Sequence, residues 1–350
     1  MSGWHLTVAR DDLAATDVVD VPVPQPADGE AVLRVDRVGV TANNVTYAVL
    51  GESFRYWDFF PAPAGRGTVP LWGFAEVVAS RADGVDEGTR VYGYLPTASH
   101  LVVRPARPDA RGFRDASDHR STLPSPYNAY ATTTGDPAYE PDREDLQVLF
   151  RPLFFTSFVL ADQLADTAPP VVVLSSASSK TAYGAAFLLR GQRRLVGLTS
   201  PSNLDFTRSL GVYDEVLPYD AVAELRQEPT GYVDVAGSAA VRQALHDHLR
   251  TSLELDLVVG VTHQDGERAG TLHGARPQVF FAPDRMRQRT QDWGREGLDD
   301  RFAQAWRSFA PVVEGWVDVV VGHGPGDLAR VWREVLGGRS APRDGNVLQL

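Results

Sequence analysis

From about residue 146 to residue 283 the chain alternates short β-type runs with helical ones, and few folds accommodate that order. VVVLSS, LVGLT, EVLPY, YVDVAG, LDLVVGVT and QVFFAP are apolar runs of strand length, the first bounded by Pro169 and Pro170. EDLQVLFRPLFFTSFVLADQLAD, the stretch Lys180 to Arg190, SNLDFTRSLG and AAVRQALHDHL carry helical periodicity. Strands joined through helices pair in parallel, because a parallel neighbour requires a crossover connection. A doubly wound α/β sheet is the expected result.

The flanks read differently. From Thr7 to about Arg104 the runs AVLRVDRVGVTA, VPLWGFAEVVAS, TRVYGYLP and HLVVRP are separated by turn residues, the spacing of a compact β-barrel or sandwich. Pro105 to Asp145 is rich in Pro, Ser, Asp, Arg and Tyr without a sustained period, and is expected to be a long loop or lid. After QVFFAP come an amphipathic helix around Asp299 to Phe309, a strand near Trp316 to Val321, the helix GDLARVWREVLGG and a closing strand in RDGNVLQL, expected to rejoin the N-terminal sheet. The 350 residues therefore divide into a discontinuous β-domain, 1–145 with 311–350, and a sheet domain, 146–310.

Composition removes several classes of chemistry. With no cysteine, the chain forms no disulfide, no thiolate zinc site and no catalytic thiol. A net charge of -11 opposes binding to nucleic acid or an anionic membrane, which leaves a small molecule as the expected partner. No run approaches the ~18 consecutive apolar residues of a membrane span. The N-terminus, MSGWHLTVARDDLAATD, carries early acids instead of a signal peptide's apolar stretch, so a soluble, cytoplasmic protein is expected. His246 and His248 stand two apart on a helical run and point to different faces, so no metal is expected. Among the 34 basic residues the one lysine is Lys180.

Lys180 closes the segment richest in chemical information. Where a strand hands over to a helix in a dinucleotide-binding unit, small residues let the backbone approach a pyrophosphate at the helix N-terminus. VVVLSSASSKTAYGAAFLL supplies the strand, then Ser175, Ser176, Ala177, Ser178 and Ser179 as a small-residue turn, then a helix opening at Lys180 and Thr181. None of the glycines of G-x-G-x-x-G is present. At the end of the next strand, where an NAD site places an acid, stand Thr199, Ser200, Pro201, Ser202 and Asn203. Neutral donors without a carboxylate suit a 2′-phosphate, with Lys180 as a point charge, so NADP(H) is the expected cofactor. The same residues also read as a capped strand exit and an exposed helix start. Two competing motifs fail: Leu174 and Ser179 occupy the glycine positions of a P-loop, and Ala177 occupies the serine position of S-x-x-K.

Taken in order, VPLWGFAEVVAS, GTRVYGYLP, TSFVLAD, VVVLSSASSKTAYG, LTSPSNLDFTRSLGVYDEV, YVDVAG and DGNVLQL resemble the medium-chain dehydrogenase/reductase superfamily, in its quinone-reductase and enoyl-reductase branch. The resemblance covers most of the chain outside 105–145. Within that branch NNVTYA, RYWDFFPAP, SSASSKTAYG and PRDGNVLQL resemble a little-characterised bacterial and fungal family bearing a domain-of-unknown-function label. The resemblance implies a GroES-like barrel joined to a Rossmann domain, with the active site in the cleft between them and a homodimer formed through an edge strand of the Rossmann sheet. It also implies that Asn44, with Asn43 beside it, faces nicotinamide and substrate. Thr156 and Ser157 would contact the nicotinamide from the preceding helix, and Gly237, after YVDVA, would lie where the cofactor's nicotinamide half passes the fourth strand.

Reduction of a polarised alkene needs a hydride donor, a group to stabilise the developing enolate oxygen and a proton. Tyr47 and Tyr56 are the candidate acids, Asn44 a candidate donor to the substrate carbonyl, and Trp57, Phe59 and Phe60 candidate walls of an apolar pocket. The expected activity is reduction of an enone, enoyl thioester or quinone. A carbonyl reductase or redox-neutral enzyme on the same scaffold, and a non-catalytic NADP(H)-binding sensor, are the alternatives.

Overall fold

The computed structural model describes residues 2–259 and 271–350. Gly260 to Thr262, the end of the expected strand LDLVVGVT, lie outside the described residues. The chain forms two compact units, residues 1–151 with 317–350, and residues 152–316.

The first unit is built on a nine-stranded sheet and a three-stranded one. Ala31–Val40 lies at the centre of the larger sheet, antiparallel to Leu71–Ser80 on one side and to the closing strand Asp344–Gln349 on the other. Val347 pairs with Gly39, which places the C-terminus beside residues some 300 positions earlier. Inward residues such as Val35, Val77 and Leu95 are fully buried, as the two-residue period of a strand requires. The segment 105–145 departs from the expected long loop. Pro105–Asp109, Gly112–Asp115 and Ala129–Thr132 are strands that extend the larger sheet, and short 3₁₀ turns link them to the following helix. Each strand has four or five residues, too few for alternation to register.

The second unit is the doubly wound sheet expected from the sequence. Its order is Glu215–Pro218, Arg194–Thr199, Val171–Leu174, Thr230–Asp234, Leu253–Val259 and Pro277–Phe280, every pair parallel. Chain order reverses at Val171–Leu174: the next strands lie on one side, the later ones on the other. The C-terminal ends of Val171–Leu174 and Thr230–Asp234 therefore flank a topological switch point, where open α/β sheets bind ligands. The helix expected near Asp299 is the second half of Ala282–Val313, which breaks at Gly294, where φ is +72°. The helix Glu144–Thr167 leads into the second unit and is, among the described residues, the one segment long and apolar enough to cross a bilayer by composition alone. Half of its most apolar window is buried inside the protein, the behaviour of a core helix.

Candidate functional site

Two clusters of polar side chains stand out, one in each unit. In the second unit the turn after Val171–Leu174 holds Ser176 at φ +50°, a left-handed conformation that a non-glycine residue adopts only when its surroundings fix it. Those surroundings are visible: the Ser176 amide donates to Tyr219 Oη at 3.0 Å, and its carbonyl accepts from the Ser179 amide at 2.7 Å. Ala177 is fully buried, with its amide on the Leu198 carbonyl and its own carbonyl accepting from Tyr213 Oη. Both backbone polar groups of Ala177 are thus taken up within the fold. Ser179 caps the helix Lys180–Leu189 by accepting from the Ala182 amide, and Lys180 and Thr181 form its first turn.

The expected second-strand residues do converge on this turn. Ser178 Oγ accepts from Asn203 Nδ2 at 3.2 Å and from Thr199 Oγ1 at 3.4 Å, while Ser200 and Ser202 hydroxyls lie 3.1 Å apart. Among the described residues no carboxylate takes part in this cluster of hydroxyls and amide. The close packing that the third fingerprint glycine would serve comes from Gly184, where a Cβ would lie 2.7 Å from Ser157 Oγ. Ser157 Oγ in turn lies 2.8 Å from the Thr181 carbonyl, tying the preceding helix to the start of Lys180–Leu189. Ser157 is buried, with its hydroxyl also on the Leu153 carbonyl, and Thr156 Oγ1 donates to the Pro152 carbonyl of its own helix.

Beneath the switch point lies a network that sequence reasoning missed. Asp234, fully buried, accepts from Ser175 Oγ at 3.0 Å and from the Gly237 amide at 2.8 Å, and its other oxygen pairs with Arg242. Ser175 Oγ itself accepts from the amides of Val235 and Ala236, both at 3.0 Å. The loop Val235–Gly237, with Gly237 at φ +70°, is therefore shaped by one serine and one aspartate. Arg242 Nε lies 3.4 Å from Asp256, whose Oδ2 is 2.9 Å from His246 Nε2. His248 goes elsewhere, to the Leu225 carbonyl.

In the first unit the helix Ala42–Val49 carries the residues expected to act on substrate. Asn44 is turned inward and 2% exposed: its Oδ1 accepts from the Thr41 amide at 2.7 Å and its Nδ2 donates to the Pro70 carbonyl at 2.9 Å. The amide oxygen closes the helix N-terminus, and the amide nitrogen ties the helix to the Pro70 carbonyl. Its neighbour Asn43 faces Tyr47, one turn on, and donates to Tyr47 Oη at 2.7 Å. Trp72 Nε1 donates to the same oxygen at 3.0 Å. Rings of Tyr56, Tyr94 and Tyr127 surround Tyr47 at centroid distances of 4.7, 5.4 and 6.3 Å. Tyr56 Oη lies 3.4 Å from Tyr127 Oη. Phe59 and Phe60 pack behind, against Tyr94, whereas Trp57 belongs to the barrel core. Burial pushes the hydroxyls of Tyr47 and Tyr56 above the ordinary tyrosine value, so both keep their protons at neutral pH.

A barrel-like β-unit and a six-stranded parallel sheet with a topological switch point define a medium-chain reductase fold, with GroES-like and Rossmann domains. The chain shares that fold with CurA from Vibrio vulnificus, at 14% identity over 99% of this chain and 98% of that one, TM-score 0.67. CurA in complex with NADPH matches at TM-score 0.65. The putative NADPH:quinone reductase from Bacillus thuringiensis matches at 15% identity, 100% and 99% coverage and TM-score 0.61, and the CurK enoyl reductase at 14%, 99% and 99%, and 0.59. No curated protein matches the sequence. The chain belongs to the DUF2855 family of proteins of unknown function, whose model covers residues 38–341.

Proposed function

We propose that this protein is a soluble, cytoplasmic NADP(H)-dependent oxidoreductase that reduces an activated C=C bond, in an enone, enoyl thioester or quinone, without a metal. One observation carries the cofactor choice: Ser178, Thr199 and Asn203 converge at the end of the second strand with no carboxylate among them. An acid there would hold the ribose hydroxyls of NAD and repel a 2′-phosphate, whereas hydroxyls, an amide and Lys180 favour the phosphate. The small-residue turn and the Gly184 contact fit a pyrophosphate approaching the helix start, with Ser176, Ser179 and Thr181 around it and Gly237 on the facing loop. Fold neighbours named as NADPH-binding and quinone- or enoyl-reducing support the same reading.

A bound NADPH would supply the hydride. Tyr47 supplies the proton and steadies the developing oxygen charge, with Tyr56 as a flanking hydroxyl. The absence of cysteine and the divergent contacts of His246 and His248 leave this tyrosine chemistry as the route that the chain's own residues support.

The test is a fluorescence titration with NADPH and NADH. Wild type is expected to bind NADPH in preference, and Lys180→Ala to lose roughly tenfold in NADPH affinity with little change for NADH, as removal of one charge–phosphate contact implies. Asn203→Asp should cost NADPH a comparable factor and raise NADH affinity, because the new carboxylate repels the 2′-phosphate and accepts from the free ribose hydroxyls of NADH. If wild type binds neither nucleotide, the oxidoreductase reading is abandoned.

A further inference from the structure

Tyr47 carries more hydrogen bonding than packing requires. Its phenolic oxygen accepts from both Asn43 Nδ2 and Trp72 Nε1, and an indole N–H can only donate. A phenolic oxygen has two lone pairs and one hydrogen. With both lone pairs occupied, the hydrogen is directed away from both donors, and among the described residues no side chain or carbonyl accepts it. Tyr56 and Tyr127, which could have competed, pair with each other instead. Tyr47 is 6% exposed and hemmed in by rings, so its hydroxyl has little freedom to turn.

We propose that Asn43 and Trp72 are positioning residues that hold the Tyr47 hydroxyl as a one-way donor to the oxygen of a conjugated carbonyl acceptor and stabilise the phenolate it leaves. The proposal rests on the reductase reading given above. A hydride donor would reduce the acceptor's β-carbon and leave an enolate; in the step itself the Tyr47 O–H bond breaks as an O–H bond forms on that enolate oxygen. The electron pair of the broken bond stays on Tyr47 Oη, where the Asn43 and Trp72 N–H groups face it. The enol then reverts to the ketone, and water returns a proton to Tyr47. Donors already aimed at the place where charge appears cost no reorganisation when it appears. A selectivity follows: acceptors whose conjugated system ends in oxygen are reduced, and α,β-unsaturated nitriles of the same shape are not.

The experiment uses the full chain with cyclohexenone carrying a ¹³C-labelled carbonyl, followed by infrared difference spectroscopy with and without NADP⁺, and by NADPH oxidation. In wild type the bound carbonyl band is expected at lower frequency than in Tyr47→Phe. Trp72→Phe keeps the ring and loses the N–H; it should move the band partway back and lower kcat roughly 10- to 100-fold with KM nearly unchanged, since hydrogen bonds to charged groups have that weight. Asn43→Asp, at a half-exposed helix position that tolerates a carboxylate, turns a donor into an acceptor that captures the Tyr47 proton. It should abolish the band shift and lower kcat further. Asn43→Gln, which keeps a donor, should restore part of both.

Wild-type band and kcat in both Trp72→Phe and Asn43→Asp would overturn the proposal, as would a wild-type band identical to that of Tyr47→Phe or no bound band at all. A shifted band in a protein that neither binds nor oxidises NADPH would instead remove the reductase reading and leave the oxygen-directed donor standing.

Discussion

Tyr47→Phe is expected to lower turnover of a conjugated carbonyl acceptor by roughly 10²- to 10⁴-fold, the usual weight of a positioned general acid, with NADPH affinity unchanged. The substitution removes one oxygen and leaves the ring contacts with Tyr56, Tyr94 and Tyr127 in place. It also leaves the Trp72 and Asn43 donors without their acceptor, a cost of about 1–3 kcal/mol in stability that the variant should survive. Steady-state kinetics beside a nucleotide titration separates the two effects, because only kcat should move.

The pH dependence of the wild type sharpens this result. Burial raises the Tyr47 hydroxyl well above its ordinary value, and the hydrogen bonds from Trp72 and Asn43 offset only part of that. An acid acts in its protonated form, so a raised value keeps it active across the neutral range, and kcat should stay flat until pH passes the ordinary tyrosine value of about 10. An alkaline fall centred below about pH 9 would assign the acid to another group. Tyr56→Phe, which removes a hydroxyl partnered by Tyr127, should cost less than about tenfold.

How far these residues were legible in the sequence depended on whether their partners are local. The turn Ser175–Ser179 and the missing acid at Thr199–Asn203 could be read because a strand, a turn and a helix follow one another directly. The six parallel strands were legible for the same reason. Asn43 and Tyr47 stand four apart on one helix, a spacing that already predicts contact, yet the choice between Asn43 and Asn44 turns on which amide closes the helix end. Trp72 was out of reach: its strand meets that helix only through the fold of the barrel. Tyr127 was hidden more deeply, in a segment whose strands of four or five residues are too short for alternation to stand out, and where Arg107 and Gly112 take up positive φ. Asp234, Arg242, His246 and Asp256 come from two strands and a helix. Parallel pairing of Asp256 with Tyr232 and of Val258 with Asp234 brings them together, and nothing in their order along the chain announces it.

That network carries the largest expected effect on stability. Asp256→Ala should destabilise the protein by about 3 kcal/mol in chemical unfolding, because it leaves a buried histidine and part of a guanidinium without their shared carboxylate. His246 is fully buried, and its Nδ1 faces the His273 carbonyl, which can only accept, so Nδ1 carries a hydrogen. Its Nε2 faces Asp256, and a hydrogen bond there requires a second proton, on the ring or on the carboxyl. Burial favours the carboxyl, raising Asp256 above its ordinary value, while His246 and Arg242 pull it down less strongly. Asp256→Asn keeps a donor toward Nε2 and should cost only about 1 kcal/mol. The sign of the pH effect follows from the raised value. Between the unfolded carboxylate value and the raised folded one, the native state binds more protons, so its stability falls as pH rises through that window. Asp256→Asn has no such proton to lose. The stability gap between wild type and Asp256→Asn should therefore shift against wild type as pH climbs from the acid side, and a gap independent of pH would show that the shared proton is absent.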